Sequence, residues 1–530
     1  MKIHAIEYSQ LNIFPKLIQD YLTNSETVKP FYNYSFNFQS FKQGIADRKF
    51  PIESRKVLVE VLTRQYRGLA TAPIVSENIK KFGEPNTFAI TTAHQPVLFT
   101  GPLYFIYKII SAINVAEQLR KEFPENHFVP VYFMGAEDHD FDEINHLWLN
   151  GEKIEWQHDR RGAVGRISTH DIAPLIQEVE NGLQGEFAAE AVQLIKDAYI
   201  GRTTLAEATA YFVNSLFGEY GLVVINPDDK ELKKLFAPVI EDELLNNRAF
   251  TLTEKLIKKI TEQGYEIQAN PREINLFYVT DGSRERIVFE EKENRYHVLN
   301  TALTFTRDEI IKEVQEHPEH FSPNVFLRPL FQEMMLPNLA YIGGAGELSY
   351  WFEQKAIFDY FNVNFPMLVL RNSAMLVDAN TQKKFEKTGL DWNDFYQDEE
   401  TLIKNFVKKN STNTLDFSAE KDKINALFNG IRDKAAAVDV TLTGAVEAQK
   451  TAVINSIEGL EKKILKAEKR NFETSTAQIK SVKAKLFPNN NLQERVENFL
   501  PYYAAGGKKF IESLKKEFNP FNKQLLFFSE

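Results

Sequence analysis

The sequence predicts a doubly wound α/β core joined to a long helical region with coiled-coil spacing. Three observations predict it. Short continuous apolar runs alternate with helical segments over the first 375 residues, the pattern of strands buried on both faces between crossover helices. The clearest runs end in polar loops, where open parallel sheets hold their ligands. Residues 418–486 then turn to Ala, Glu, Lys and Gln, with Val453, Ile457, Leu460, Ile464 and Ala467 in alternating steps of four and three.

A chain of 530 residues exceeds a typical domain of about 100 to 200, so several units are expected. The predicted boundaries are a core over 1–375, a helical coiled-coil domain over 376–490 and a C-terminal segment over 491–530 that returns to the core.

The first eighty residues read as helical segments without a sharp motif. A strand is predicted over Phe88 to Thr92, after the turn formers Pro85 and Asn86. A helix follows from Gly101 to about Glu122, with Pro102 at its first position, where a missing N–H costs nothing. The run FVPVYFM, Phe128 to Met134, is a buried parallel strand and completes a βαβ unit. Further strands are Leu222 to Ile225, ending at NPDD, and Phe365 to Leu370, ending at RNS. Between Ile267 and Leu299, short alternating segments flank Asp281-Gly282, a hairpin signal, so a small β insertion is predicted at about 265–300. Pro488 and Asn489 to Asn491 stop the helical region, and the tail runs through LQERVENFLPYYAAGG to a helix at Lys508 to Glu517.

Composition narrows the function classes. Charged residues at 26% and hydrophobic ones at 43% describe an ordinary globular chain. The net charge of −10 offers no general attraction for nucleic acid or anionic membranes, so neither partner is expected and an anionic substrate needs a locally basic pocket. His4, Glu7 and Gln10 interrupt the apolar stretch a signal peptide would carry, and no later run reaches about 18 apolar residues, so a cytoplasmic location is expected. Cysteine is absent, which excludes disulfides, thiolate metal sites and a cysteine nucleophile. Any thiol chemistry belongs to a substrate.

Three segments carry chemistry. The loop AHQPVLFTGPLY, Ala93 to Tyr104, links a strand end to a helix start, where an anion can be held. His94, Gln95, Thr100, the N–H of Gly101, Tyr104 and Lys108 are the candidate groups there, although the loop also reads as a plain Pro-containing connection. The segment GAEDHDFDEINH packs Glu137, Asp138, His139, Asp140, Asp142, Glu143 and His146 into twelve residues. Such a cluster can bind a cationic amine and remove its proton before it attacks an acyl group. His139, Asp142 and His146 are conceivable metal ligands, but no standard zinc pattern is present and no protein-bound metal is expected. A solvated acidic helix start is the bland alternative.

The third segment, Arg328 through LPNLAYIGGAGELSYW, combines Tyr341, Gly343, Gly344, Gly346 and Glu347. Backbone can approach a ligand closely at such glycines, yet the pattern is neither GxGxxG nor a P-loop, and a tight turn before a helix fits equally. Arg328 and Arg371 are better anion candidates. Arg371, Asn372 and Ser373 directly follow a strand, where a guanidinium can grip a carboxylate or phosphate, unless it serves a structural ion pair.

Taken together, HQPVLFTGPLYFIYKIISAI, VPVYFMGAEDHDFDEINH, LAYIGGAGELSYW and LQER resemble the bacillithiol biosynthesis cysteine-adding enzymes, in order and in spacing. The resemblance covers essentially the whole chain. One departure stands in the first loop, where Ala93 and Val97 replace the two glycines of the family's GHQPGLFTGP. The resemblance implies a Rossmann-like core with connecting insertions, an antiparallel coiled coil that helps form a homodimer, and a ligase that joins cysteine to glucosamine malate by an amide bond. ATP with Mg is the expected activating cosubstrate. His94 resembles the first histidine of the synthetase HIGH motif, although no KMSKS loop is evident. Asp138, Asp140 and Glu137 would then hold ammonium groups, His139 would act as base, and Arg328, Arg371 and Lys108 would answer anionic charge. A nucleotidyltransferase acting on a small alcohol or sugar, and a coiled-coil adaptor, are the rival readings.

Overall fold

The computed structural model describes residues 2–158, 161–413 and 415–529. The chain forms two compact units, one of Glu7–Ala374 with Glu494–Leu526, the other of Met1–Ile6, Met375–Gln493 and Phe527–Glu530.

In the larger unit the core sheet begins with β1 (Thr87–His94), whose residues are buried up to Ala93. Its apolar and threonine side chains give it no solvent face, as a central parallel strand requires. Helix α1 (Tyr104–Glu122) is buried without interruption from Phe105 to Ala116 and packs on β1 and on β2 (His127–Met134). The strand β3 (Val223–Ile225) precedes α2 (Lys230–Asn246), which Asp229 caps by accepting from the Glu231 N–H.

The chain then builds an antiparallel insertion from β4 (Leu276–Val279), β5 (Arg284–Glu290), β6 (Arg295–Val298) and β7 (Thr304–Phe305), followed by α3 (Arg307–Glu316) and β8 (Phe321–Pro323). The strand order is β7-β6-β5-β4-β8. Asp281-Gly282 lies in the β4–β5 turn as the sequence predicts. The sheet continues past residue 300, because β8 returns to pair with β4 after a helix. Local alternation reveals hairpins but not such a distant partner.

The core resumes with α4 (Arg328–Met335), β9 (Asn338–Gly343), α5 (Ala345–Phe352) and β10 (Met367–Leu370). Its order is β10-β9-β1-β2-β3, and every pairing is parallel. The direction of winding switches between β1 and β9, so a crevice is expected beyond their carboxyl ends. The fully buried strand β9 lies beside β1 at the centre of the sheet, where the sequence predicts only a glycine-bearing segment that fits a tight turn before a helix. The helix α1 starts at Tyr104, not at Gly101. Phe99, Thr100 and Gly101 all have positive φ, which keeps the chain out of a helix until Leu103.

In the smaller unit α6 (Ser418–Val438) and α7 (Thr443–Asn471) form a helical hairpin, and α8 (Glu473–Leu486) packs on the helix Ala379–Thr388. Lys421 pairs with Glu461 at 2.9 Å and Arg432 with Glu447 at 3.7 Å, so position advances on α6 as it recedes on α7. The hairpin is therefore antiparallel. Along the predicted seam, Val453 and Ile457 are half-buried, but Leu460 and Ile464 are exposed. The pairing of α6 with α7 thus leaves the second half of the seam exposed.

Candidate active site at the carboxyl ends of the parallel strands

At the end of β1 the His94 imidazole bonds the Tyr104 hydroxyl through Nε2 at 2.8 Å and lies against the Phe105 ring. Burial, then the Lys108 cation, push its pKa down to about 4, so the ring is neutral near pH 7. Lys108 is buried and donates to the Ala93 carbonyl at 2.5 Å and to Glu347 Oε1 at 2.7 Å. Burial disfavours the Glu347 charge, but Lys108 and the Gly344 N–H outweigh it and hold the carboxyl below its ordinary range. Glu347 thereby ties α1 to the start of α5.

Gln95, the next residue, reaches over to the end of β2. Its Nε2 donates to Asp138 Oδ2 at 2.8 Å and to Glu143 Oε2 at 2.9 Å. Asp138 Oδ1 accepts from the His139 N–H at 2.7 Å. Burial opposes the Asp138 charge, yet Arg284 and these donors keep its carboxyl below the usual carboxylate range. The loops after β1 and β2 are thus joined side chain to side chain.

Arg284 comes from the insertion. It stacks on Phe277, donates from Nε to Ser322 and from Nη2 to Pro323, and places Nη1 2.8 Å from His139 Nδ1. A guanidinium can only donate, so Nδ1 is the acceptor and the His139 proton sits on Nε2. Burial, then Arg284, lower the pKa of this ring. His139 stands in the wall of a cavity of about 860 Å³ between the acidic segment and the β4–β5 hairpin, with Asp140, Asp142, Arg161, Arg284 and Arg286.

Several expected ligand contacts are instead spent inside the protein. Glu137 is buried in an ion pair with Lys233 of α2, so its charge is answered before any ammonium arrives. Asp140 caps the short helix Phe141–Ile144 by accepting from the Glu143 N–H, while remaining exposed at the cavity. The Gly101 N–H is committed to the Leu98 carbonyl. A Cβ on Gly101 would stand 2.4 Å from Val97 Cγ1, so the glycine serves the turn itself. Arg371 donates to Glu494 Oε1 at 2.6 Å, Ser373 also donates to Glu494, and Asn372 bonds Ser111. The expected anion clamp is therefore an internal ion pair, because Glu494 of the LQER segment arrives from far along the chain. Arg328 bonds Tyr350 and Gln332, and Tyr341 stacks on Trp351 with its hydroxyl 3.4 Å from Glu347. A Cβ at Gly343 would crowd Leu348 and Tyr341, whereas Gly344 and Gly346 have room around them.

Some buried donors remain unused. Arg371 Nε and Thr100 Oγ1 meet no hydrogen-bond partner. Sequence reasoning missed Arg284, Lys233, Glu494 and Asn498, the last donating to the Phe99 and Gly101 carbonyls at 3.0 and 2.6 Å. Only the tail segment LQER held a signal, as part of the family resemblance.

The description "Bacillithiol biosynthesis BshC, N-terminal Rossmann-like domain" matches residues 1–372, and "C-terminal coiled-coil domain" of the same family matches 374–528. The chain belongs to the BshC family. Relatives named cysteine ligase BshC occur in Flavobacterium johnsoniae, 40% identical, and in Christiangramia forsetii, 41% identical, each aligned over 98% of both chains. A third, from Flavobacterium psychrophilum, is 40% identical over the same share. The Rossmann-like core and the antiparallel helical hairpin agree with the two parts of the BshC description.

Proposed function

We propose that this chain joins the carboxyl group of L-cysteine to the amine of glucosamine malate, the amide-forming last step of bacillithiol assembly. One observation supports the reading above others. The neutral His139 ring borders a cavity whose wall carries carboxylates from one segment and guanidiniums from another. That pairing suits an acceptor bearing an amine at one end and a malyl dicarboxylate at the other. In this reading His139 takes the amine proton once Arg284 releases Nδ1, and Asp138, fixed by Gln95, steadies the ammonium beforehand.

A free carboxylate is a poor electrophile, so activation by ATP with Mg, as an acyl-adenylate or acyl-phosphate, belongs to the same proposal. The unpaired Arg371 Nε and Thr100 Oγ1 near the strand ends are donors that an anionic cosubstrate would satisfy. A homodimer formed through α6 and α7 is proposed as well, supported by the exposed Leu427, Ile431, Leu460 and Ile464 on that hairpin. A cytoplasmic location is part of the reading; among the described residues no helix is long and apolar enough to cross a membrane.

The test is mass-spectrometric detection of the amide from the purified chain with cysteine, glucosamine malate and ATP. His139→Ala and Asp138→Asn are expected to slow it by about 10²- to 10⁴-fold, the usual worth of a positioned acid or base. In cells, loss of the gene should abolish bacillithiol and accumulate glucosamine malate. Unchanged bacillithiol would sink the proposal.

A further inference from the structure

Among the described residues, metal-binding geometry occurs away from the acidic segment. His317, Glu319 and His320 each offer one ligand atom, and these atoms all lie within 4.8 Å of one another. They occupy the short turn Pro318–His320 and the residue before it, between α3 and β8 of the insertion. The two imidazoles lie nearly parallel, with centroids 5.1 Å apart and planes 16° from each other.

The surroundings match what a metal-bound histidine needs. Glu313, in the last turn of α3, accepts from His320 Nδ1 at 2.7 Å and from the Tyr278 hydroxyl at 2.7 Å. A carboxylate behind an imidazole fixes its ring and tautomer and raises its basicity as a ligand. Glu319 divides its two oxygens. Oε1 accepts from Lys230 at 3.0 Å, while Oε2 is buried with no hydrogen-bond partner. A buried carboxylate oxygen left unpaired is costly unless something cationic completes it.

We propose that His317, His320 and Glu319 form a zinc site, with Glu313 and Tyr278 as its outer support. Two imidazoles and a carboxylate are ligands that zinc accepts in tetrahedral geometry, and water can take the fourth position. The site's place in the fold makes it a clip. It ties the end of α3 to β4, which carries Tyr278, and to β8, which follows His320 directly. It lies outside the cavity beside His139, so it holds the insertion rather than the reacting groups.

The full chain, tag removed and stripped with a chelator, is titrated with Zn²⁺ in competition with a chromophoric chelator while its thermal unfolding is followed. One zinc per chain is expected, with a raised unfolding temperature. His317→Gln, at a half-exposed position, and the His317→Gln/His320→Gln pair should abolish that stoichiometric binding and the shift. Tyr278→Phe should weaken binding by about 10- to 100-fold, as loss of outer support does. Asp138→Asn should leave it intact. Absence of stoichiometric zinc in the wild-type chain, or one zinc bound per chain by the double histidine variant, would overturn the site.

Discussion

Arg284 decides the chemistry of His139 more than the acidic neighbours that the sequence displays. Its guanidinium occupies the Nδ1 lone pair and, after burial, is the next cause that lowers the ring's pKa. Arg284→Gln removes that cation, so the His139 pKa should rise. A base works when deprotonated, and the acidic limb of the pH–rate profile should therefore move to higher pH, alongside the His139 signal in an NMR titration. An unmoved limb would mean that His139 is not the titrating base. Lys233 poses a different question. Burial pushes its partner Glu137 toward the neutral form, and Lys233, then Arg284, counter this. Lys233→Met leaves that carboxylate without its ion pair, at a cost of about 3 to 5 kcal/mol in chemical denaturation. Loss of only a few tenths would show that Glu137 finds another donor.

At the scale of elements, the loop after β1 is shaped by residues far from it in the chain. Three successive positive φ values, two of them at non-glycine residues, hold Phe99, Thr100 and Gly101 in a turn that local preference disfavours. Asn498 answers the strain by bonding the carbonyls of Phe99 and Gly101. Asn498→Ala leaves two buried carbonyls unpaired, and a loss of about 1 to 3 kcal/mol is expected from urea unfolding. Because the same loop carries His94 and Gln95, kcat should fall in step with stability. A stable variant with wild-type kcat would show that the tail does not shape the loop.

At the scale of the whole molecule, the helical hairpin of the smaller unit buries no residue of α6 or α7 completely. Ion pairs such as Lys421 with Glu461 fix its antiparallel pairing, while Leu427, Ile431, Leu460 and Ile464 stay in water. An apolar stripe of this kind gains stability by meeting a partner helix. If the proposed dimer forms through this stripe, Leu427→Glu with Leu460→Glu should give a monomer in analytical ultracentrifugation with the core's circular dichroism unchanged. A wild-type chain that sediments as a monomer would refute dimerisation outright.

Much of this protein follows from the sequence read by itself. Continuous apolar runs such as Phe128 to Met134 are of the kind that forms strands buried on both faces, and the polar loops that follow them fall where parallel sheets hold ligands. His94, Gln95, Asp138 and His139 were legible for that reason, and the antiparallel coiled coil through its spacing and the family resemblance. The central strand β9 was not, because its glycines masked a run that only its neighbours β1 and β10 make a strand. Nor was the division between groups that face a cavity and groups that answer one another. Glu137 meets Lys233, Arg371 meets Glu494, and Arg284 meets His139 across long separations in the chain. Local pattern reports which groups a segment offers, but a charge is satisfied by whatever the folded chain brings within about 3 Å of it. Tertiary structure alone decides that.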